Sequence, residues 1–253
     1  MNTRNRIWRQ ALLPVMMLIC PISAYSQLLV EFKAIDSREE QQSLDRLQAN
    51  RIVDQVVELV DATLDFDAKI GLVFGGDEGP LFDPDLEIIQ IPYAFIKEVD
   101  NRFSQSEPAL EEVEKQQAID GAIAHTLLHE IGHALVFANA LPVLGKEEDA
   151  VDSFATLWLL EGFDNGTQMA LDAAWLFALE DQEVDEFHDD DFWDEHSLDI
   201  QRYYQTLCLV FGSDPEVMQL ETHIFTPDFI DERADICIEE FEILSDNWEK
   251  ILQ

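Results

Sequence analysis

The sequence predicts an α+β fold, mostly helical, with a small antiparallel sheet packed beside its most histidine-rich helix. Three observations predict it. Apolar residues recur at helical spacing through most of the 253 residues, two short β-branched runs flank a turn-rich stretch, and no internal repeat divides the chain.

Taken in order, residues 37–63 read as a helix with Leu44, Leu47, Ile52, Val53, Val56, Val57 and Val60 on one face. "KIGLVFGG" and "LEIIQIPYAFI" read as strands separated by the turn-rich "GDEGPLFDPD". "EIIQI" is the candidate sheet edge, onto which an extended peptide can add through backbone hydrogen bonds. "AFIKEVDNRF" opens the next helix. Residues 117–140 and 147–160 form two more, and the Pro142 and Gly145 of the short loop between them stop the first. "EGFDNG" breaks the chain before a helix from Thr167 to about Glu180, and the last two helices run near 197–211 and 228–251.

The helix over 117–140 carries the plainest chemistry. Its "AHTLLHEIGHALV" contains H-E-x-x-H as His129, Glu130 and His133. Four residues apart, the two histidines share a helix face and can reach one metal ion; Glu130 sits beside that ion and can take a proton from water there. A zinc-dependent hydrolase, a peptidase first of all, is the implied class. His125 lies one turn earlier on the same stripe and reads as a buried or supporting histidine.

Catalytic zinc takes three protein ligands. A loop of some six residues implies an antiparallel neighbour, which brings Glu147, Glu148, Asp149 and Asp152 within reach of the histidines. Glu148 and Asp152 are an i, i+4 pair, so Glu148 can bind zinc while Asp152 accepts the free ring N–H of a ligating histidine. Glu147 points about 100° away. Glu147 and Asp149 stay open as alternative ligands.

"HEIGHAL" followed by "GKEEDAVDSFA", with "FWDEHSLDIQRYY", "LCLVFGSDP" and "RADICIEEFEILSDNWEKIL" further on, resembles a family of uncharacterised bacterial metallopeptidases, domain of unknown function 4344. The likeness runs from about residue 65 onward. The E-x-x-x-D of Glu148 to Asp152 is also similar to the glutamate helix of gluzincin peptidases, though the interval from His133 is shorter than in thermolysin-like members. The resemblance implies a zincin-like peptidase domain, one zinc ion, Glu148 as ligand and Asp152 as its supporting partner. It supplies no substrate.

The N-terminus reads as a secretory signal over residues 1–26: Arg4, Arg6 and Arg9, then "ALLPVMMLIC", then Ala24 and Ser26 before a cut after Ser26. The mature domain is then 27–253, periplasmic or secreted, with no membrane span. Of three cysteines, Cys208 and Cys237 remain, and an oxidising compartment favours a disulfide between them. Losing three arginines leaves 12 basic residues against 53 acidic ones, a net charge of −41. That disfavours nucleic acid and anionic membrane surfaces as partners and leaves a peptide or protein substrate.

Between Glu180 and Asp199 lie eleven acidic residues, which read as a solvated loop. His196 stands at its end. It is the first candidate to stabilise an oxyanion beside the zinc, with Tyr93 and Arg202 as further candidates. The expected set is therefore His129, His133 and Glu148 on zinc, Glu130 as base, His196 as catalytic donor and Asp152 in support. The rival readings are a non-catalytic member of the same fold and an acidic envelope protein that binds cations or basic peptides.

Overall fold

The computed structural model describes residues 26–253, so the expected secretory segment lies outside the described residues but for Ser26. Four strands, β1 (Leu28–Phe32), β2 (Ile70–Phe74), β3 (Leu81–Asp83) and β4 (Ile88–Ile91), form one sheet in the order β1-β2-β4-β3 among the described residues. The α+β class is as expected, but the sheet is mixed rather than antiparallel. β1, β2 and β4 run parallel, and only β3 is antiparallel, to β4.

The connections explain the directions. Helices α1 (Arg38–Ala49) and α2 (Ile52–Thr63) carry the chain back between β1 and β2, as a parallel pair requires. The β3–β4 link is a tight reversal in which Asp83 Oδ1 accepts hydrogen bonds from the backbone N–H groups of Asp85 and Leu86, at 2.9 and 3.0 Å. "EIIQI" is thus not the edge: β4 is paired on both sides, and the free edges are β1 and β3. The single helix expected over 37–63 is two. Ser37 and Glu40 close a capping box at the start of α1, and Arg51, left-handed at φ 55°, re-aims the chain so that Ile52, Val53, Val56 and Val60 are buried.

Helix α3 (Tyr93–Ser104) leads to α4 (Glu112–Ala138), the central element. From Ala118 to Val136 α4 is buried on nearly every side, as a helix apolar all round should be. Helices α2, α3, α5 (Glu147–Gly162) and α6 (Gly166–Asp181) pack about it, and β3 and β4 touch it. It ends at Ala138 with Asn139 as its cap; just beyond, Ala140 is left-handed at φ 49° and the Leu141 N–H returns to the Val136 carbonyl at 3.0 Å. The stop therefore precedes Pro142.

The acidic stretch is loop apart from the short α7 (Asp189–Trp193); α8 (Asp199–Ser213), α9 (Pro215–Met218) and α10 (Pro227–Ile251) complete the chain. Cys208 and Cys237 form the expected disulfide, joining α8 to α10. No described helix is long and apolar enough to cross a membrane.

Gly132, inside the histidine motif, lets α5 approach α4. A Cβ there would stand 3.0 Å from two carbons of Val151 and 3.2 Å from Phe154. Gly132→Val adds two further carbons to that closed contact and should cost about 1–3 kcal/mol. The expected readout is a lower urea midpoint with an unchanged m-value; a midpoint equal to the wild type's would mean the two helices part freely.

Candidate metal centre

The antiparallel pairing of α4 and α5 builds the site. Moving four residues along α4 moves the partner four residues back along α5. His125 faces Thr156, His129 faces Asp152 and His133 faces Glu148. All of these lie on regular helix, so their side chains project at turn spacing from rigid backbone.

The chelating atoms converge on one carboxylate oxygen. Glu148 Oε2 is 3.1 Å from His129 Nε2 and 3.2 Å from His133 Nε2, and the two imidazole nitrogens are 3.2 Å apart. A tetrahedral ion with bonds of about 2.0–2.1 Å has its ligand atoms roughly 3.3 Å apart. The three donors therefore form a triangle of the right size for one face of such a site.

The opposite ring nitrogens support this fit. His129 Nδ1 donates to Asp152 Oδ1 at 2.7 Å, and His133 Nδ1 donates to Glu147 Oε1 at 2.8 Å. Each carboxylate fixes the tautomer that leaves a lone pair on Nε2, which is the form a metal needs. Asp152 is gripped in turn by Arg202, from Nε to Oδ2 at 2.7 Å and from a terminal nitrogen to Oδ1 at 2.8 Å. The guanidinium of Arg202 also lies over the Phe177 ring, 4.1 Å from its centroid.

His196 joins from a different direction. Its Nε2 is 2.9 Å from Glu148 Oε2, and His129, Glu148 and His196 together make a second set of donor atoms lying within 4.8 Å of one another. The loop carrying it is tied to the start of α5: Lys146 Nζ donates to the carbonyls of Asp194 and His196, both at 3.2 Å, and Ser197 donates to Asp149 at 2.7 Å.

These contacts set the charges. Burial would push Glu148 up, but hydrogen bonds from His129, His133 and His196 hold it far below the ordinary carboxylate range. Burial likewise opposes ionisation of Asp152, and Arg202 and His129 override it. Glu130 has no such partner; burial pushes it above its ordinary value. His125 is lowered to about 3 by burial and stays neutral in the core, bonded to Thr156. Glu130 opens onto a cleft of about 720 Å³ together with His129, His133, Glu148 and His196. Pro80, Leu81 and Phe82 form its other wall, where the Phe82 ring packs on Phe137 at 5.5 Å.

The structure thus brings together His129, Glu130, His133, Glu148, Asp152 and His196. It does not bring in Tyr93, which is buried with its hydroxyl on the Lys33 carbonyl, nor free Arg202, whose guanidinium is spent on Asp152. Asp149 faces Ser197 instead of the histidines. Glu147, expected to point away, supports His133. Helical spacing alone gave no signal for that, because it does not locate the Nδ1 side of the ring.

Asp152→Ala would leave the buried Arg202 charge without its partner. The expected loss is about 3–5 kcal/mol of stability, read by chemical denaturation. A loss under about 1 kcal/mol would show that the ion pair is relaxed by solvent.

A family model described as "Putative metallopeptidase", DUF4344, matches residues 32–252. No curated protein and no solved structure matches the chain. The matched span takes in β2 to β4, the whole of α4, α5 and α8, and every residue of the donor cluster. The chain belongs to the family so described, DUF4344.

Proposed function

We propose that the chain is an exported, zinc-dependent peptidase whose metal is held by His129, His133 and Glu148. The observation that carries the reading is the triangle of donors at 3.1–3.2 Å, with both opposite ring nitrogens fixed by carboxylates, beside the buried Glu130. Two imidazoles and one carboxylate suit zinc among the common divalent ions. When bound, the ion supplies the Lewis acidity that makes water a nucleophile near neutral pH.

The chain's own groups do the rest. Glu130, raised by burial, takes the proton of the attacking water on its carboxylate and passes it to the departing amine. His196, at the mouth of the cleft, donates from Nε2 to the oxyanion that develops on the peptide carbonyl. Lys146 and Ser197 keep its loop in reach. Asp152 and Glu147 orient the two ligating rings. The free edge of β3, rather than "EIIQI", lines the cleft and takes an extended substrate by strand addition. Export is supported by the N-terminal sequence pattern and by the Cys208–Cys237 disulfide, which fits an oxidising compartment.

Two outcomes test this. Glu130→Gln should retain stoichiometric metal and lose about 10²–10⁴-fold in peptide turnover, whereas His129→Ala should lose both metal and turnover. Elemental analysis with a peptide-library assay reads both. A wild type that holds its metal and cleaves nothing would favour the non-catalytic reading, and turnover undiminished in Glu130→Gln would remove the base from its role.

Metal uptake should also depend on pH. Burial works against a charged His129, but hydrogen bonds to Asp152 and Glu148 outweigh it and raise the ring to about 9; His133 is raised in the same way. The metal-free protein therefore keeps protons that an incoming cation must displace. Affinity should be weakest in acid and climb as pH rises through about 9. Chelator competition across that range checks it, and a flat profile would contradict it.

A further inference from the structure

Toward the N-terminal end of α4, about three turns before the metal site, a cavity of about 690 Å³ lies between α4, α6 and α8 and shares no lining residue with the metal cleft. Its wall at Ala118 is eleven positions before His129 on the same helix, roughly 16 Å along the axis. Leu171, Trp175 and Leu207 supply apolar surface, and Asp172 and Tyr203 supply polar groups.

Asp172 is the unusual member. It is only 5 % exposed. Its Oδ1 accepts one hydrogen bond, from Gln168 Nε2 at 2.9 Å, and Oδ2 has no partner among the described residues. No fully enclosed side-chain oxygen among the described residues lacks a partner, so Oδ2 must face accessible space, and the cavity is the space that Asp172 lines. Tyr203 and Trp175 line the same cavity, and their hydroxyl and indole N–H likewise have no partner among the described residues. No ion pair with Asp172 is found among the described residues. A second buried acid, Asp120, acts on it from nearby with both oxygens already taken by Asn50 and Gln116 at 2.6 and 2.7 Å, and Glu114 and His223 also line the cavity.

A carboxylate so enclosed is costly unless a cation or several donors reach it. Burial pushes Asp172 up to about 7, and Asp120 adds to the shift. An ammonium group supplies both charge and N–H donors, and an aromatic wall favours a cation with an apolar body. We propose that this cavity is a second binding site, for a small organic ammonium ion, with Asp172 as counter-ion and Trp175 as the wall against its apolar part. The site is independent of the metal centre's chemistry.

The probe is benzylammonium, with benzyl alcohol as its neutral counterpart of similar shape. Calorimetric titration of the full metal-loaded protein near pH 8, about a unit above the Asp172 value, should give saturable one-to-one binding of the ammonium, about tenfold or more tighter than the alcohol. Chelator-treated protein should give the same isotherm, which excludes amine bound at the metal. Asp172→Asn, which keeps the shape and the Gln168 contact, should lose the preference for the ammonium. Equal affinity for the two probes, the same preference in Asp172→Asn, or no saturable binding at millimolar ligand would each overturn the proposal. Should Asp172→Asn fail to fold, the comparison of the two probes on the wild type decides alone.

Discussion

The register between α4 and α5 is the constraint from which the site follows. Because both helices repeat every 3.6 residues, partners spaced by four on each stay in step for three successive turns. The resulting ladder grades chemistry by depth. At the inner rung His125 is neutral and meets a threonine hydroxyl. At the middle rung His129 meets Asp152, whose charge is balanced by Arg202. At the outer rung His133 meets Glu148 at the wall of the cleft. Gly132 sets how closely the two helices approach, so one missing side chain fixes the separation on which the 3.1–3.2 Å donor triangle rests.

This explains what the sequence made legible. His129, Glu130 and His133 sit on one helix, and Glu148 and Asp152 on one other, so helical periodicity alone orients each group. Only the antiparallel turn had to be inferred, and a short loop allows little else. Directions set by tertiary packing were not legible. Arg202 reaches Asp152 from α8, fifty positions away, and nothing local shows whether its guanidinium is free or spent. Glu147 reaches the second nitrogen of His133 because adjacent residues at the first turn of α5 straddle one ring. The sense of the sheet is hidden for a similar reason: apolar runs mark strands but not their direction. β1 carries little signal of its own, because "LLVEF" follows directly on the apolar N-terminal segment and only its first residue is buried.

Charge organises the rest of the fold. With 15 basic residues against 53 acidic ones, cations are scarce, and the few arginines sit where acids would otherwise crowd. Arg46 binds Asp100 and Glu112 where α1, α3 and α4 meet. Arg102 joins Glu180 and Glu183 between α3 and the end of α6. Arg202 holds Asp152. Such a guanidinium, partly buried and engaging two carboxylate oxygens, fixes geometry that an exposed pair would not.

The metal centre is where that scarcity matters most. Glu130, Glu147, Glu148 and Asp152 stand around His129 and His133, and among the described residues Arg202 is the one permanently cationic side chain that contacts any of these four acids. The remaining negative charge has two ways to be met. Protons can reside on the imidazoles, which is why His129 and His133 are raised although burial opposes it. Alternatively, a divalent cation can take their place, using the same Nε2 atoms. The two solutions exclude each other at each nitrogen, so the acids that hold the rings in place also create the demand for positive charge that a metal meets. In a chain this poor in basic residues, an ion held in the proposed site would also serve as a counter-ion for the packing of α4 against α5.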